Sequence, residues 1–165
     1  MSNLKQLGLC IHMYAQDYSE NFPQYAAVAT AMLDIGTLAP TYVTAAKLYV
    51  CPSSSDTATT SLTGPTSLGL SNISYAYARD CTETTSTDTV VMADQSNATV
   101  SDKTAAWSTT LTGTVNHSTD GVNALYVDGH MEWVPKGKIT DRMVNTAAGY
   151  FTANTGAVLR NPGTT

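Results

Sequence analysis

The chain has 165 residues, 42% of them hydrophobic and only 13% charged, which is enough apolar material for one globular domain with its own core and rules out disorder throughout. Thirteen acidic against eight basic residues leave a net charge of −5, so there is no basic surface to meet nucleic-acid phosphates or anionic lipid heads. No apolar run approaches the roughly 18 to 20 residues that cross a bilayer, and no basic-then-apolar signal segment is present; the chain as given reads as soluble.

Residues 2–18 (SNLKQLGLCIHMYAQDY) carry the clearest periodicity. Leu4, Leu7, Ile11, Tyr14 and Tyr18 recur at spacings of three and four, one stripe of an α-helix about 25 Å long, while Lys5, Gln6, His12, Gln16 and Asp17 fall off the stripe. Asn21, Phe22 and Pro23 end it. The alanines of 26–33 favour a second short helix that stops near Gly36. Pro40 redirects the chain, and Leu48, Tyr49 and Val50 make a brief extended run into Cys51. Residues 53–72 are almost entirely Ser, Thr, Gly and Leu, a long surface loop.

Residues 73–78 (ISYAYA) alternate as a strand does, with Tyr75 and Tyr77 on one face, and 89–93 (TVVMA) make a short β-branched strand ending at Asp94. Residues 100–107 fit no element, and the Thr-rich 108–115 suit an exposed strand. The strongest β signal is 122–134 (VNALYVDGHMEWV), where Asp128 and Gly129 between two alternating runs suit a two-residue type I′ turn. Such a hairpin sets Val127 opposite His130, Tyr126 opposite Met131 and Ala124 opposite Trp133. Val122, Ala124, Tyr126, Met131 and Trp133 then face the core, and Asn123, Leu125, Val127, His130, Glu132 and Val134 face away. A last short helix is expected around 141–148 with Thr140 as its N-cap, and beyond Gly149 the residues specify no structure. The elements add up to a single α+β domain, a helix laid across an antiparallel sheet with polar loops at its rim.

Cys10 lies beside the helical stripe and reads as a small buried hydrophobe. Cys51 and Cys81 sit in polar, turn-rich surroundings and make the better pair. A bridge between them would close a loop of about 30 residues, worth about 3 to 4 kcal/mol in the chain-entropy model, and would imply an oxidising compartment. Two free thiols fit the same residues, but the Cys51–Cys81 bridge is the expectation.

The candidates for a site are Asp94, His117, Asp120, Asp128 and His130, acids and imidazoles that could hold a metal ion or run acid–base chemistry. The interval from His117 to His130 fits no standard zinc pattern, and the chain lacks C-x-x-C, a G-x-S-x-G elbow and a glycine-rich phosphate loop. No catalytic residue is therefore expected, and the chain reads as a non-enzyme. Asp128 is explained by the turn, and with Gly129, His130 and Trp133 it forms a structural motif. Sequons at Asn72, Asn97 and Asn116 decide nothing in a chain so rich in Ser and Thr.

Four blocks in order, NLKQLGLCIHMYAQDYSENFP, LYVCPSSSD, ISYAYA with VVMADQS, and NHSTDGVNALYVDGHMEWV, resemble bacterial type II secretion pseudopilin-like and type IV pilin-like proteins with a prepilin N-terminus. The last block is the most specific, and together they cover most of residues 3–134. The resemblance implies a pilin-like headpiece: 1–20 the C-terminal half of a long pilin helix, 21–134 the loop region and antiparallel sheet, 135–165 a C-terminal extension outside the match. Such proteins begin with a leader peptide and an apolar helical half, processed by an inner-membrane peptidase, and these residues do not include that half. The implied function is that of a structural subunit of a pseudopilus or pilus-like filament, acting by assembly and not by catalysis. It would polymerise, and meet the inner membrane, through the absent helical half. Its partners would be other subunits and the secretion or pilus assembly machinery, with no nucleic acid, at the periplasmic face of the cell envelope or in an extracellular filament. Residues 1–165 alone would be monomeric or weakly associating.

Two alternatives compete with that function. One is a minor, tip-located pilin-like protein whose Ser/Thr loop binds a substrate or surface. The other is a metal-dependent hydrolase using Asp94, His117 and His130. The resemblance also raises a cofactor, calcium, because major pseudopilins often hold one in a loop near the end of the headpiece, here residues 116–120. That loop offers Asp120 and the side chains of Asn116, Ser118 and Thr119, but one carboxylate only unless Asp94 or Asp128 folds in beside it. The expectation is therefore no cofactor, with His117 hydrogen-bonded to Asp94 or nearby backbone and locking the loop onto the sheet.

Overall fold

In the computed structural model, which describes residues 2–26, 30–96, 107, 111, 116–117, 119–143, 159–160 and 162, the periodic opening stretch is helix α1 (Ser2–Asp17). Leu4, Leu7, Cys10, Ile11, Tyr14 and Ala15 are buried along one side, as the spacing requires, and Lys5, Gln6, Gln16 and Asp17 face solvent. Tyr18 is not part of that stripe. The helix ends at Asp17, and Ser19 and Glu20 take φ of 54° and 65°, so the chain turns away and leaves Tyr18 52% exposed, its ring stacked on Tyr14 at 4.0 Å.

Helix α2 (Ala31–Gly36) starts later than its alanines suggest, because Thr30 takes the N-cap and its side chain accepts a hydrogen bond from Leu33 N at 3.4 Å. Residues 27–29 lie outside the described residues. The expected extended run at 48–50 is instead a 3-10 turn, Ala46–Tyr49. Asn3 of α1 donates to Lys47 O (3.0 Å) and Val50 O (2.8 Å), which ties the turn's carbonyls to the helix and favours the tighter winding.

Among the described residues five antiparallel strands form one sheet: β1 (Tyr75–Ala78), β2 (Val90–Asp94), β3 (Gly121–Tyr126), β4 (Met131–Pro135) and β5 (Leu159–Arg160), in the order β4-β3-β2-β1-β5. Strands β1, β2 and β3 are buried at every position, so Tyr75 and Tyr77 are not set apart from their neighbours by burial. Strand β5, which no sequence signal marks, pairs with β1 through Tyr77 with Arg160 and Ala78 with Leu159. The architecture is α+β, an N-terminal helix with an antiparallel sheet.

The hairpin forms one residue out of the expected register. Leu125 pairs with Met131, Ala124 with Glu132, Asn123 with Trp133 and Val122 with Val134. Its loop holds three residues: Tyr126 N donates to His130 O (3.0 Å), Gly129 N donates to Tyr126 O (2.9 Å), and Gly129 takes φ +82°. A left-handed glycine of this kind makes a three-residue bulged turn, not a type I′ turn. Because side chains alternate, the slip turns β4 over relative to β3. Val134 is fully buried in place of Trp133, which is 37% exposed. Leu125, expected to face away, lies against Gly8 of α1, where a Cβ would meet its methyls at 3.0 Å. On the other face Tyr126 Oη donates to Arg142 O (3.3 Å), beside the buried Ile139 and Met143.

Helix α3 (Ile139–Arg142) begins before Thr140, which is therefore inside it and not its cap. Residues 144–158 lie outside the described residues, as do most of 97–115, where the unassigned stretch and the exposed strand were expected. No described helix is long and apolar enough to cross a membrane.

The expected bridge between Cys51 and Cys81 is also corrected: Cys10, Cys51 and Cys81 are all free and buried. Tyr49 O accepts from Ser74 N (2.9 Å), which places Cys51 at the start of β1, whereas Cys81 lies past its end, its carbonyl accepting from Phe22 N (3.1 Å). A four-residue strand at about 3.3 Å per residue puts about 13 Å between them, and a disulfide spans Cα atoms no more than about 7 Å apart. The long loop is closed by hydrogen bonds instead. Ser74 Oγ donates to Asp56 Oδ2 (2.7 Å) and lies 2.8 Å from Ser54 Oγ, and Asn72 Nδ2 donates to Thr57 O (2.8 Å).

Candidate metal centre

Asp94 ends β2 with its side chain 2% exposed, a position that costs several kcal/mol for an unpartnered charge. The neighbouring strand supplies the compensation. Asn123 of β3 donates to Asp94 Oδ2 from both its backbone N (2.7 Å) and Nδ2 (2.9 Å), and Asn116 Nδ2 donates to Oδ1 (2.8 Å). Asn116 Nδ2 also donates to Ser74 O (2.7 Å), and Trp107 Nε1 donates to the Asp94 carbonyl (2.9 Å). These bonds fix the end of β2, the start of β1 and the turn before β3 in one place.

His117 follows Asn116 in that turn, and its Nε2 stands 3.5 Å from Asp94 Oδ2, 2.9 Å from Asn123 Nδ2 and 3.7 Å from Cys51 Sγ. Its ring and that of Trp133 meet in a T-shaped contact, with centroids 5.3 Å apart and planes at 89°. That contact follows from the register of the hairpin: only with Trp133 paired to Asn123 does the indole lie on the face that carries His117. Cys51 arrives from the turn after Tyr49, its carbonyl accepting from Ser54 N (3.0 Å) and Ser54 Oγ (2.8 Å). Burial pushes the Cys51 thiol up from its ordinary pKa.

A nucleophilic relay needs the thiol and the carboxylate on opposite nitrogens of the imidazole, so that one nitrogen takes the proton while the other is held. Here both approach Nε2. The geometry is wrong for a relay and right for three donors pointing at one centre: the ligand atoms of Cys51, Asp94 and His117 all lie within 4.8 Å of one another.

Of the five residues singled out in the sequence, Asp94 and His117 bring their side chains together at this centre, while Asp128 and His130 meet each other at the hairpin tip. His130 N donates to Asp128 Oδ1 (2.9 Å), that N–H holds the Asp128 carboxyl below its usual pKa, and the His130 ring stacks on Tyr126 at 4.1 Å, so both residues build the hairpin tip. Lys5 of α1 donates to Gly129 O and docks that tip on the helix. His130 lines an open depression of about 320 Å³ with Asp88, Tyr126, Glu132, Asp141 and Arg142. Asp120 is exposed, and its carbonyl accepts from Lys136 N (2.9 Å). The described residues of the 116–120 loop do not suit calcium, which takes six to eight oxygens. Asp94 is the carboxylate that reaches Asn116 and His117; its oxygens already accept three amide hydrogens, and an imidazole and a thiol stand beside it. Cys51 was the missing member, and no motif could have shown it, because the three donors lie far apart in the chain.

Compared with protein-family models, curated proteins and solved structures, the chain matches none of them.

Proposed function

We propose that this chain is a subunit of a pilin-like filament of the bacterial cell envelope, working by assembly and not by catalysis. The observation that carries this reading is the solvent side of α1. Its buried stripe is satisfied by the sheet and the loops, yet Leu9 and Met13, one turn apart, remain 57% and 53% exposed. Single exposed apolar residues are ordinary, but two in register on a helix make the start of a second stripe that a neighbouring helix can cover. An amphipathic helix with one face given to its own sheet and another to a partner is what a helical filament core requires. The α+β architecture and the four blocks of resemblance support the same reading.

The test is made in the organism that carries the gene, with the gene in its natural length. Antibody against the globular part should label filaments sheared from the cells, and the double substitution Leu9→Asp with Met13→Asp should remove the label while leaving the purified chain folded. A wild-type chain absent from the sheared fraction, or filaments indifferent to the two aspartates, would sink the assignment.

A further inference from the structure

We propose that Cys51, Asp94 and His117 together bind one divalent transition-metal ion of the zinc class, a site independent of filament assembly. The three donors come from separate segments, the turn after Tyr49, the end of β2 and the turn before β3, and no local structure requires them to converge. Their spacing suits a tetrahedral ion. Bonds of about 2.3 Å to sulfur and about 2.0 Å to nitrogen or oxygen imply ligand-to-ligand edges of about 3.5 and 3.3 Å. The structure has 3.7 Å from Cys51 Sγ to His117 Nε2 and 3.5 Å from His117 Nε2 to Asp94 Oδ2.

The donor set selects the ion. Thiolate and imidazole are poor ligands for calcium and magnesium and good ones for zinc. A dipositive ion facing one thiolate and one carboxylate leaves the buried cluster neutral. On binding, the Cys51 S–H proton passes to solvent and an S–metal bond replaces it, with no change of oxidation state. His117 binds through the Nε2 lone pair, so Asn123 Nδ2 gives up its contact there and keeps Asp94 Oδ2.

The surroundings are those of a ligand site. Asn116 and Asn123 orient the carboxylate from behind, and the T-shaped contact with Trp133 holds the imidazole. Asn116, 2% exposed, spends Nδ2 on Asp94 and Ser74 and leaves Oδ1 buried with no hydrogen-bond partner, an acceptor that water on an open fourth position can satisfy. Cys51 and Asp94 are sealed in, while the His117 side chain keeps 26% of its surface, so an ion enters along the imidazole.

The whole chain, stripped with chelator, is titrated with Zn²⁺ by calorimetry and with Co²⁺ by absorption. One equivalent should bind, cobalt should give a thiolate charge-transfer band in the near ultraviolet, and zinc should raise the melting temperature. Cys51→Ser should abolish the band, and both Cys51→Ser and His117→Ala should weaken zinc by at least about 100-fold, the most that loss of a mere supporting residue costs. His130→Ala and Cys10→Ser should bind as the parent does. If a variant misfolds, displacement of cobalt from the parent chain by one equivalent of zinc, read as loss of the thiolate band, decides the matter, and a band that zinc leaves unchanged counts against the site. A folded parent chain that takes up no stoichiometric zinc, or an equivalent that survives Cys51→Ser and His117→Ala or is lost with His130→Ala, overturns the proposal.

Discussion

Three amide hydrogens stand around Asp94, and that arrangement makes the carboxylate tolerable in the sheet and intolerant of change. Asp94→Ala leaves the Asn116 and Asn123 donors without their buried acceptor, and should cost about 3 to 5 kcal/mol, read as a lower urea midpoint. His117→Ala removes a half-buried ring and should lower stability by about 1 kcal/mol, so a urea midpoint that falls equally for the two variants would contradict this ranking. The thiols allow a direct check of the corrected pairing. Unfolded without reductant, the chain should be alkylated at Cys10, Cys51 and Cys81, and a peptide linking Cys51 to Cys81 would contradict the separation of the two along β1. At this scale the sequence revealed polar residues with chemistry to offer, and Asp94 and His117 were legible for that reason. Cys51 was not, because its turn-rich neighbourhood said nothing about which distant groups would close over it.

Helix α1 was legible because it is wet on one side, and a single buried stripe leaves a periodic trace. The hairpin's existence was equally plain, but its register was not. Asp-Gly serves a two-residue turn and a three-residue bulged turn alike, and β3 is buried on both faces, so no alternation of polar residues arbitrates between them. The observed turn makes two claims that can be measured. Gly129 at φ +82° should lose about 1 kcal/mol on replacement by Ala, seen in thermal melts. Asp128, whose carboxyl is held low chiefly by the His130 N–H, contributes stability that is complete above the ordinary carboxylate range near pH 4. That contribution is lost as pH falls through the lowered folded value. Acid melts of Asp128→Ala should lack this component, and an unchanged acid limb would remove the carboxylate from the account of the turn.

The whole domain holds buried acids of another kind. Burial pushes the Cys81 thiol up to about 12 and raises the Tyr49 and Tyr77 phenols as well, while the unfolded chain releases these protons near pH 8.5 and 10. The folded state therefore keeps protons that the unfolded state gives up, and stability should fall steadily as pH rises from about 9 to 12. A urea midpoint flat across that range would show the burial to be wrong. In neutral buffer the 165 residues should run as a monomer in light scattering at micromolar concentration, since two exposed side chains on α1 are far too little surface for a lasting dimer. The α+β class followed from composition and the periodic segments; β5 did not, because two residues that pair with β1 leave no pattern of their own. That late strand has a consequence for how the protein is made. A ribosome releases Tyr75–Ala78, four uncharged residues with an open row of amides and carbonyls, long before Leu159 and Arg160 exist to cover them, and Met32 N meets Pro162 O only at that same late moment. Until then each nascent chain offers its neighbours on a polysome a template for pairing. A gene stopped after Met143 should give a product that partitions into inclusion bodies, and addition of residues 144–165 should return it to the soluble fraction.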